Sequence, residues 1–208
     1  DYKANGFSNV RIPIKWGNHI DGNGNIHKDF LDRVEQVIDW SLSRGLVTII
    51  NAHHENWVID NYWGNKDKLF HIWNQVADRF KNKNENLVFE LFNEPRDAMG
   101  SGEVTDMNHA LFPIIRNNNP KRVIIAGAGN WGHWSDLYNV SFPIDDYTMV
   151  QFHYYDPISF THEFEYSWWS HGQIWADMDT IIPWVQETLG IPAYCGEFGV
   201  MHSNNSKG

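Results

Sequence analysis

Asn86-Leu-Val-Phe-Glu-Leu-Phe-Asn-Glu-Pro95 reads as a buried strand. It is apolar or aromatic almost throughout, is entered from the polar run 82–85, and is stopped by a proline that cannot donate to a ladder. Glu94 stands at its C-terminal end, where a carboxylic acid is costly unless it is hydrogen-bonded or has a task. Ile191-Pro-Ala-Tyr-Cys-Gly-Glu-Phe-Gly199 repeats the arrangement, a short apolar run that delivers Glu197 beside glycines. Those glycines let other groups approach closely. Either glutamate alone would pass for a surface residue at a loop start. Two strands that each deliver one carboxylate at the same end point to paired-carboxylate chemistry.

Outward from these two stretches, one pattern recurs. Asn9-Val-Arg-Ile-Pro-Ile14, Leu46-Val-Thr-Ile-Ile-Asn51, Arg122-Val-Ile-Ile-Ala126 and Tyr147-Thr-Met-Val-Gln-Phe152 are further strand candidates. Helical spacing links Phe30, Leu31, Val34, Val37, Ile38 and Leu42, with Gly45 as the stop. A long aromatic loop follows Trp57, then Leu69, Ile72, Trp73, Val76 and Phe80 mark a second helix. Leu111 and Ile115 mark a third, and Met178, Ile181, Val185 and Leu189 a fourth. Strands alternating with helices predict an α/β chain with a parallel sheet. Polar, aromatic and ionisable residues gather after each strand, as in a (β/α)8 TIM barrel, whose functional groups sit in the loops at the C-terminal face. An open doubly wound sheet is the competing arrangement, although no glycine-rich phosphate loop opens a helix.

With 208 residues, 42% hydrophobic and 20% charged, the chain can bury a large core. A net charge of −10 without a basic run disfavours nucleic acid as a partner. No apolar run reaches the ~20 residues of a membrane span. The single cysteine, Cys195, lies within a strand and reads as a small buried hydrophobe. Eleven tryptophans are many for core packing alone. Trp16, Trp57, Trp63, Trp131, Trp168 and Trp169 lie where indoles could stack on flat sugar rings, and each could equally be core. The opening Asp1-Tyr-Lys-Ala-Asn-Gly6 reads as a start within a longer protein.

Asn9-Val-Arg-Ile-Pro-Ile, His53-His-Glu, Phe89-Glu-Leu-Phe-Asn-Glu-Pro, His153-Tyr-Tyr-Asp-Pro and Gly196-Glu-Phe-Gly, in that order, resemble glycoside hydrolase family 5, the large cellulase family of clan A. The Trp16-Gly-Asn-His19 loop is similar to that of its bacterial endo-β-1,4-glucanase branch. The resemblance implies that residues 1–208 are a partial catalytic barrel covering strands two to seven, with the first and eighth strands absent. It implies Glu94 as acid/base and Glu197 as nucleophile of a retaining hydrolysis, which requires two carboxylates. Arg11, Asn93, His53, His153, Tyr155, Trp131 and Trp57 are implied as supporting or sugar-binding residues. A buried arginine needs an anionic partner; for Arg11 that is Glu197 by resemblance, and Glu90 by the parity of its strand. The phenol of Tyr155 would donate to Glu197.

His53-His54-Glu55 is a poor metal motif, because adjacent strand residues diverge and the spacing is not the helical His-Glu-x-x-His. No metal and no cofactor is implied. Three functions are compatible: a β-1,4-glucanase, a hydrolase of xyloglucan, mannan or xylan, and a carbohydrate-binding or inactive barrel fragment. A polysaccharide partner places the protein outside the cell, since polymers do not enter it.

Overall fold

The computed structural model describes residues 2–163 and 171–200. Its strands are β1 (Asn9–Ile12), β2 (Val47–Asn51), β3 (Leu87–Glu90), β4 (Ile124–Gly127), β5 (Thr148–Tyr154) and β6 (Ala193–Phe198). Its helices are α1 (Lys28–Leu42), α2 (Asn56–Asp60), α3 (Tyr62–Phe80), α4 (Ser101–Arg116), α5 (Ile158–Thr161) and α6 (His171–Trp184). Each strand pairs in parallel with the next in chain order. That order never reverses, so the doubly wound alternative, which needs a switch point, is excluded.

Laid flat, the sheet would hold β1 and β6 about 24 Å apart, at five spacings of ~4.8 Å. Yet Nη1 of Arg11 on β1 lies 2.6 Å from Oε1 of Glu197 on β6. The sheet is curled into most of a cylinder, an incomplete (β/α)8 barrel. Among the described residues β1 pairs only with β2, and β6 only with β5.

The two faces of the sheet carry separate cores. Outward-facing Ile50, Phe89, Ile124, Val150 and Phe152 join one large cluster with Val34 and Ile38 of α1, Ile72, Trp73, Val76 and Phe80 of α3, and Leu111 and Ile115 of α4. Inside the barrel Ile49, Val88 and Ile125 form a second, small cluster with Val47, Val123, Met149 and Tyr194 around them. This inner apolar layer floors the barrel. Two residues further along their strands from Ile49, Val88 and Met149, the inward positions turn polar at Asn51, Glu90 and Gln151, and Arg11 stands beside Ile49 on the neighbouring strand.

Two expectations need correction. The stretch 86–95 is not strand to its end: β3 stops at Glu90, so Glu94 lies in the following loop in the left-handed region (φ 46°). The chain after Glu90 is still tied down, by Leu91 N–H to Ile125 O and Asn93 N–H to Ala52 O. The aromatic loop after Trp57 is instead helical, forming α2 and the start of α3. Val58, Ile59 and Tyr62 fall on one buried face there. The Asn61 side chain caps α3 by accepting from Gly64 N–H at 3.1 Å.

Trp16 is fully buried, donates Nε1–H to Asn51 O at 3.0 Å and meets Phe30 edge-on. It is core and not a sugar platform. Trp168 and Trp169 lie outside the described residues. We expect Trp16→Ala to lower stability by about 3–5 kcal/mol, the usual cost of emptying a buried aromatic site. The urea midpoint measures it, and a loss below ~1 kcal/mol would contradict the packing.

Candidate active site

The site is built on one guanidinium. Arg11 donates Nε–H to Glu90 Oε2 at 2.6 Å and Nη2–H to Glu90 Oε1 at 2.7 Å, the two-pronged geometry that a planar fork favours. Nη2 also donates to Asn93 Oδ1 and Nη1 to Glu197 Oε1, each at 2.6 Å. Burial opposes the charge on Arg11, but Glu90 and Glu197 outweigh it, so the group is held above its ordinary range and stays cationic. Glu90 is fully buried and also accepts from Asn51 Nδ2 and Gln151 Nε2. Side chains from three other strands thus converge on one carboxylate.

Glu197 and Glu94 stand above this hub in different surroundings. Burial would raise Glu197, yet His153, Arg11 and the Tyr155 hydroxyl together hold its carboxyl below the usual range. Tyr155 donates to Glu197 Oε2 at 3.1 Å, and its phenol is pushed up to about 12 by burial and by the Glu197 charge. Glu94 has a different partner, His153 Nδ1 at 2.9 Å, while that nitrogen is 3.8 Å from Glu197. One oxygen of Glu94, one of Glu197 and a His153 ring nitrogen lie within 4.8 Å of one another. The hydrogen bonds of these three groups to one another, to Arg11 and to Tyr155 account for that closeness.

The strands deliver these groups by register. Gln151 pairs with Tyr194 and His153 with Glu197, so β6 carries one extra residue between Cys195 and Glu197. This bulge lets both Tyr194 and Glu197 face inward although their parity differs. The extra residue is Gly196, where a Cβ would stand only 3.1 Å from His153 Nε2. The expectation that a glycine there permits close approach has this physical content.

The remaining candidates divide. Asn93 is buried, spends its oxygen on Arg11, and its Nδ2 has no hydrogen-bond partner among the described residues. His53 is half-buried, with Nδ1 3.2 Å from Asn51 Nδ2. Burial, His54 and Arg11 push it down to about 4, so it is neutral at pH 7. Trp131 is half exposed and lines a cleft of about 540 Å3 together with Glu94, His153, Tyr155, Ile158 and His162. Trp57 does not join them. It donates Nε1–H to Glu55 at 2.6 Å and lies under the Lys68 ammonium, away from that cleft. Trp63 is exposed and donates to Glu103. Glu55 turns back to Gly17 N–H and Trp57, so His53, His54 and Glu55 do not converge on a common point.

Sequence reasoning gave Glu90 only a structural part and missed Asn51 and Gln151 altogether. The available signal was a polar or charged residue on the inward parity of an otherwise apolar strand. All three are at most 2% exposed.

Comparison with known proteins agrees with this architecture. The family model for cellulase (glycosyl hydrolase family 5) matches residues 1–208. Endoglucanase H of Acetivibrio thermocellus is 47% identical over 210 residues, covering 97% of this chain and 23% of that protein. Endoglucanase B of Ruminococcus albus is 32% identical, covering 96% of this chain and 54% of that protein. The chain therefore spans about a quarter to a half of these relatives. Among solved structures, Cel5A of Thermotoga maritima in complex with mannotriose superposes with a TM-score of 0.91 at 32% identity, covering 95% of this chain and 70% of that one. A further structure of the same protein was solved with cellobiose and gives a TM-score of 0.90. On this match along its whole length, the chain belongs to glycosyl hydrolase family 5.

Proposed function

We propose that residues 1–208 form part of the catalytic barrel of a retaining endo-β-1,4-glucanase, acting on cellulose or mixed-linkage glucan. The observation that carries the reading is the approach of Glu94 and Glu197 to within 4.8 Å in unequal environments. Retaining glycosidases hold their carboxyl groups ~5–5.5 Å apart, whereas inverting ones leave ~6.5–9.5 Å for a water. Glu197, kept ionised by Arg11 and Tyr155, attacks the anomeric carbon as the bond to the leaving oxygen breaks. Glu94 supplies the proton to that oxygen. In the second step Glu94, now a carboxylate, takes a proton from water as the water displaces Glu197.

Nδ2 of Asn93, without a partner among the described residues, is a buried donor that a sugar hydroxyl would satisfy, and Trp131 offers an indole face in the cleft. The relatives' names favour β-glucan. A family relative solved with mannotriose supports a second reading, in which the substrate is a mannan. Hydrolysis of a panel of soluble β-glucan, mannan, xyloglucan and xylan decides between them, and absence of hydrolysis on all would favour a binding or inactive barrel. A polymeric substrate places the enzyme outside the cell; no helix among the described residues is long and apolar enough to cross a membrane.

Three outcomes follow from the roles. Glu94→Gln should abolish turnover of polysaccharide yet keep the first step on aryl glycosides, whose leaving groups need no protonation; equal loss on both would overturn the assignment. Tyr155→Phe removes a donor to the ionised nucleophile, so Glu197 titrates higher and the acid limb of kcat/KM moves to higher pH by up to ~1 pH unit. A pH–rate profile with an unmoved acid limb would remove Tyr155 from that part. Trp131→Ala should raise KM on glucan several-fold, about what 1–2 kcal/mol of lost stacking implies, and leave the thermal midpoint in place.

A further inference from the structure

Asn130, Trp131 and Gly132 follow β4 as three successive residues in the left-handed region, with φ of 50°, 57° and 71°. Glycine adopts that region freely and asparagine tolerates it, but for a residue as bulky as tryptophan it is a genuine outlier. Such a backbone persists only where its surroundings over-determine it. The same turn carries the half-exposed indole of the cleft, so whatever holds the turn also places the indole.

Two kinds of tie hold it. Main-chain bonds run from Trp131 N–H to Pro95 O at 3.1 Å and from His133 N–H to Asn130 O at 3.0 Å. The side-chain ties meet at one carboxylate. Asp156, just beyond β5, places Oδ2 2.9 Å from His133 Nε2 and accepts Trp134 Nε1–H on the same oxygen at 2.7 Å. The rings of His133 and Trp134 stack, with centroids 5.5 Å apart. The protonation of His133 is set within its own loop. Ser135 N–H, which can only donate, is 3.2 Å from His133 Nδ1. Nδ1 is therefore an acceptor, and the ring hydrogen sits at Nε2, facing Asp156. A hydrogen bond to a carboxylate is among the stronger kinds, so this link can hold a turn that regular backbone would abandon.

The side of the substrate that the turn serves follows from the roles proposed above for Glu94 and Glu197, on which the inference rests. Among the described residues the cleft is lined by Glu94 and not by Glu197. Glu94 faces the departing oxygen and Glu197 the anomeric carbon, so this cleft receives the sugar that leaves. We infer that Asp156 is a positioning residue for that sugar: through His133 and Trp134 it holds the 130–132 turn left-handed and keeps the Trp131 indole in the leaving-group cleft. Its hydrogen bonds go to the turn, so it acts on binding through the indole and takes no part in the bond changes.

A double-mutant cycle tests this. Asp156→Ala and His133→Asn cut the same link from opposite ends, and asparagine keeps an acceptor for Ser135 N–H at that capping position. Each should raise KM for cellotetraose several-fold, as Trp131→Ala does, with kcat changed less. In a Trp131→Ala background the same changes should add less than about two-fold, because the indole they position is gone. Turnover of β-cellobiosyl fluoride, whose leaving group puts no sugar ring in the cleft, should stay within about two-fold of wild type, as expected if Glu94 and Glu197 are undisturbed. Full additivity with Trp131→Ala overturns the inference, and so does an equal loss on the fluoride. If neither variant folds, the wild-type protein decides. Its two-bond 1H–15N correlation spectra at about pH 8, where an ordinary histidine is neutral, should show His133 protonated at Nε2 alone, and protonation at Nδ1 overturns the link to Asp156. If the wild type hydrolyses no β-glycan, it is the proposed function that fails, and the same cycle read as cellotetraose affinity decides the part played by Asp156.

Discussion

One buried cation sets the terms for the rest of this structure. Arg11 is about 10% exposed, and Glu90, which it grips with two nitrogens, is not exposed at all. Breaking such a pair leaves a charge with no solvent to turn to, at a typical cost of about 3–5 kcal/mol. The pair is tolerable because Asn51 and Gln151 fill the remaining acceptor positions of Glu90. With Glu90 neutralised, the remaining Nη1 of Arg11 is free to hold Glu197. A structural ion pair and the orientation of a candidate catalytic carboxylate thus share one side chain.

The same cation explains why the curl of the sheet matters to chemistry. Arg11 reaches from the first described strand to the last, across the open interior. Below it the inward side chains are apolar and exclude water. Above it are Glu197, which Arg11 itself holds, and His153, Tyr155 and Glu94, which line the cleft. A charge placed at that boundary acts in a medium of lower effective dielectric than the surface, so small displacements change interaction energies appreciably. The left-handed backbone of Glu94 and the bulge at Gly196 both serve this placement. They re-aim side chains that regular strand geometry would have sent elsewhere.

Much of the fold was legible because buried parallel strands read as nearly unbroken apolar runs, and the helices between them show the 3.6-residue period. What failed was local. A five-residue helix such as α2 is too short to show a period, and aromatic residues from Trp57 to Trp63 looked like loop. The run through Leu91 and Phe92 looked like strand although the ladder had ended at Glu90, because apolar burial continues beyond hydrogen-bonded pairing. In the site, the strand ends brought together Arg11, Asn93, Glu94, His153, Tyr155 and Glu197. Trp16 and Trp57 could not be sorted from Trp131 by sequence, since an indole is equally at home in a core and against a ligand. Gln151 and Asn51 went unread, and Glu90 was read only as an ion-pair partner, because a lone polar residue in an apolar strand gains meaning only when its neighbours across the barrel are known.

The account turns on two carboxylates close enough for one to attack carbon while the other protonates oxygen. The stereochemistry of the first product tests it most directly. Following soluble β-glucan hydrolysis by 1H NMR in the first minutes, before mutarotation, the account predicts the β-anomer at the new reducing end, the configuration of the bond that was cut. Initial release of the α-anomer would mean single displacement by water and would contradict the arrangement at its centre.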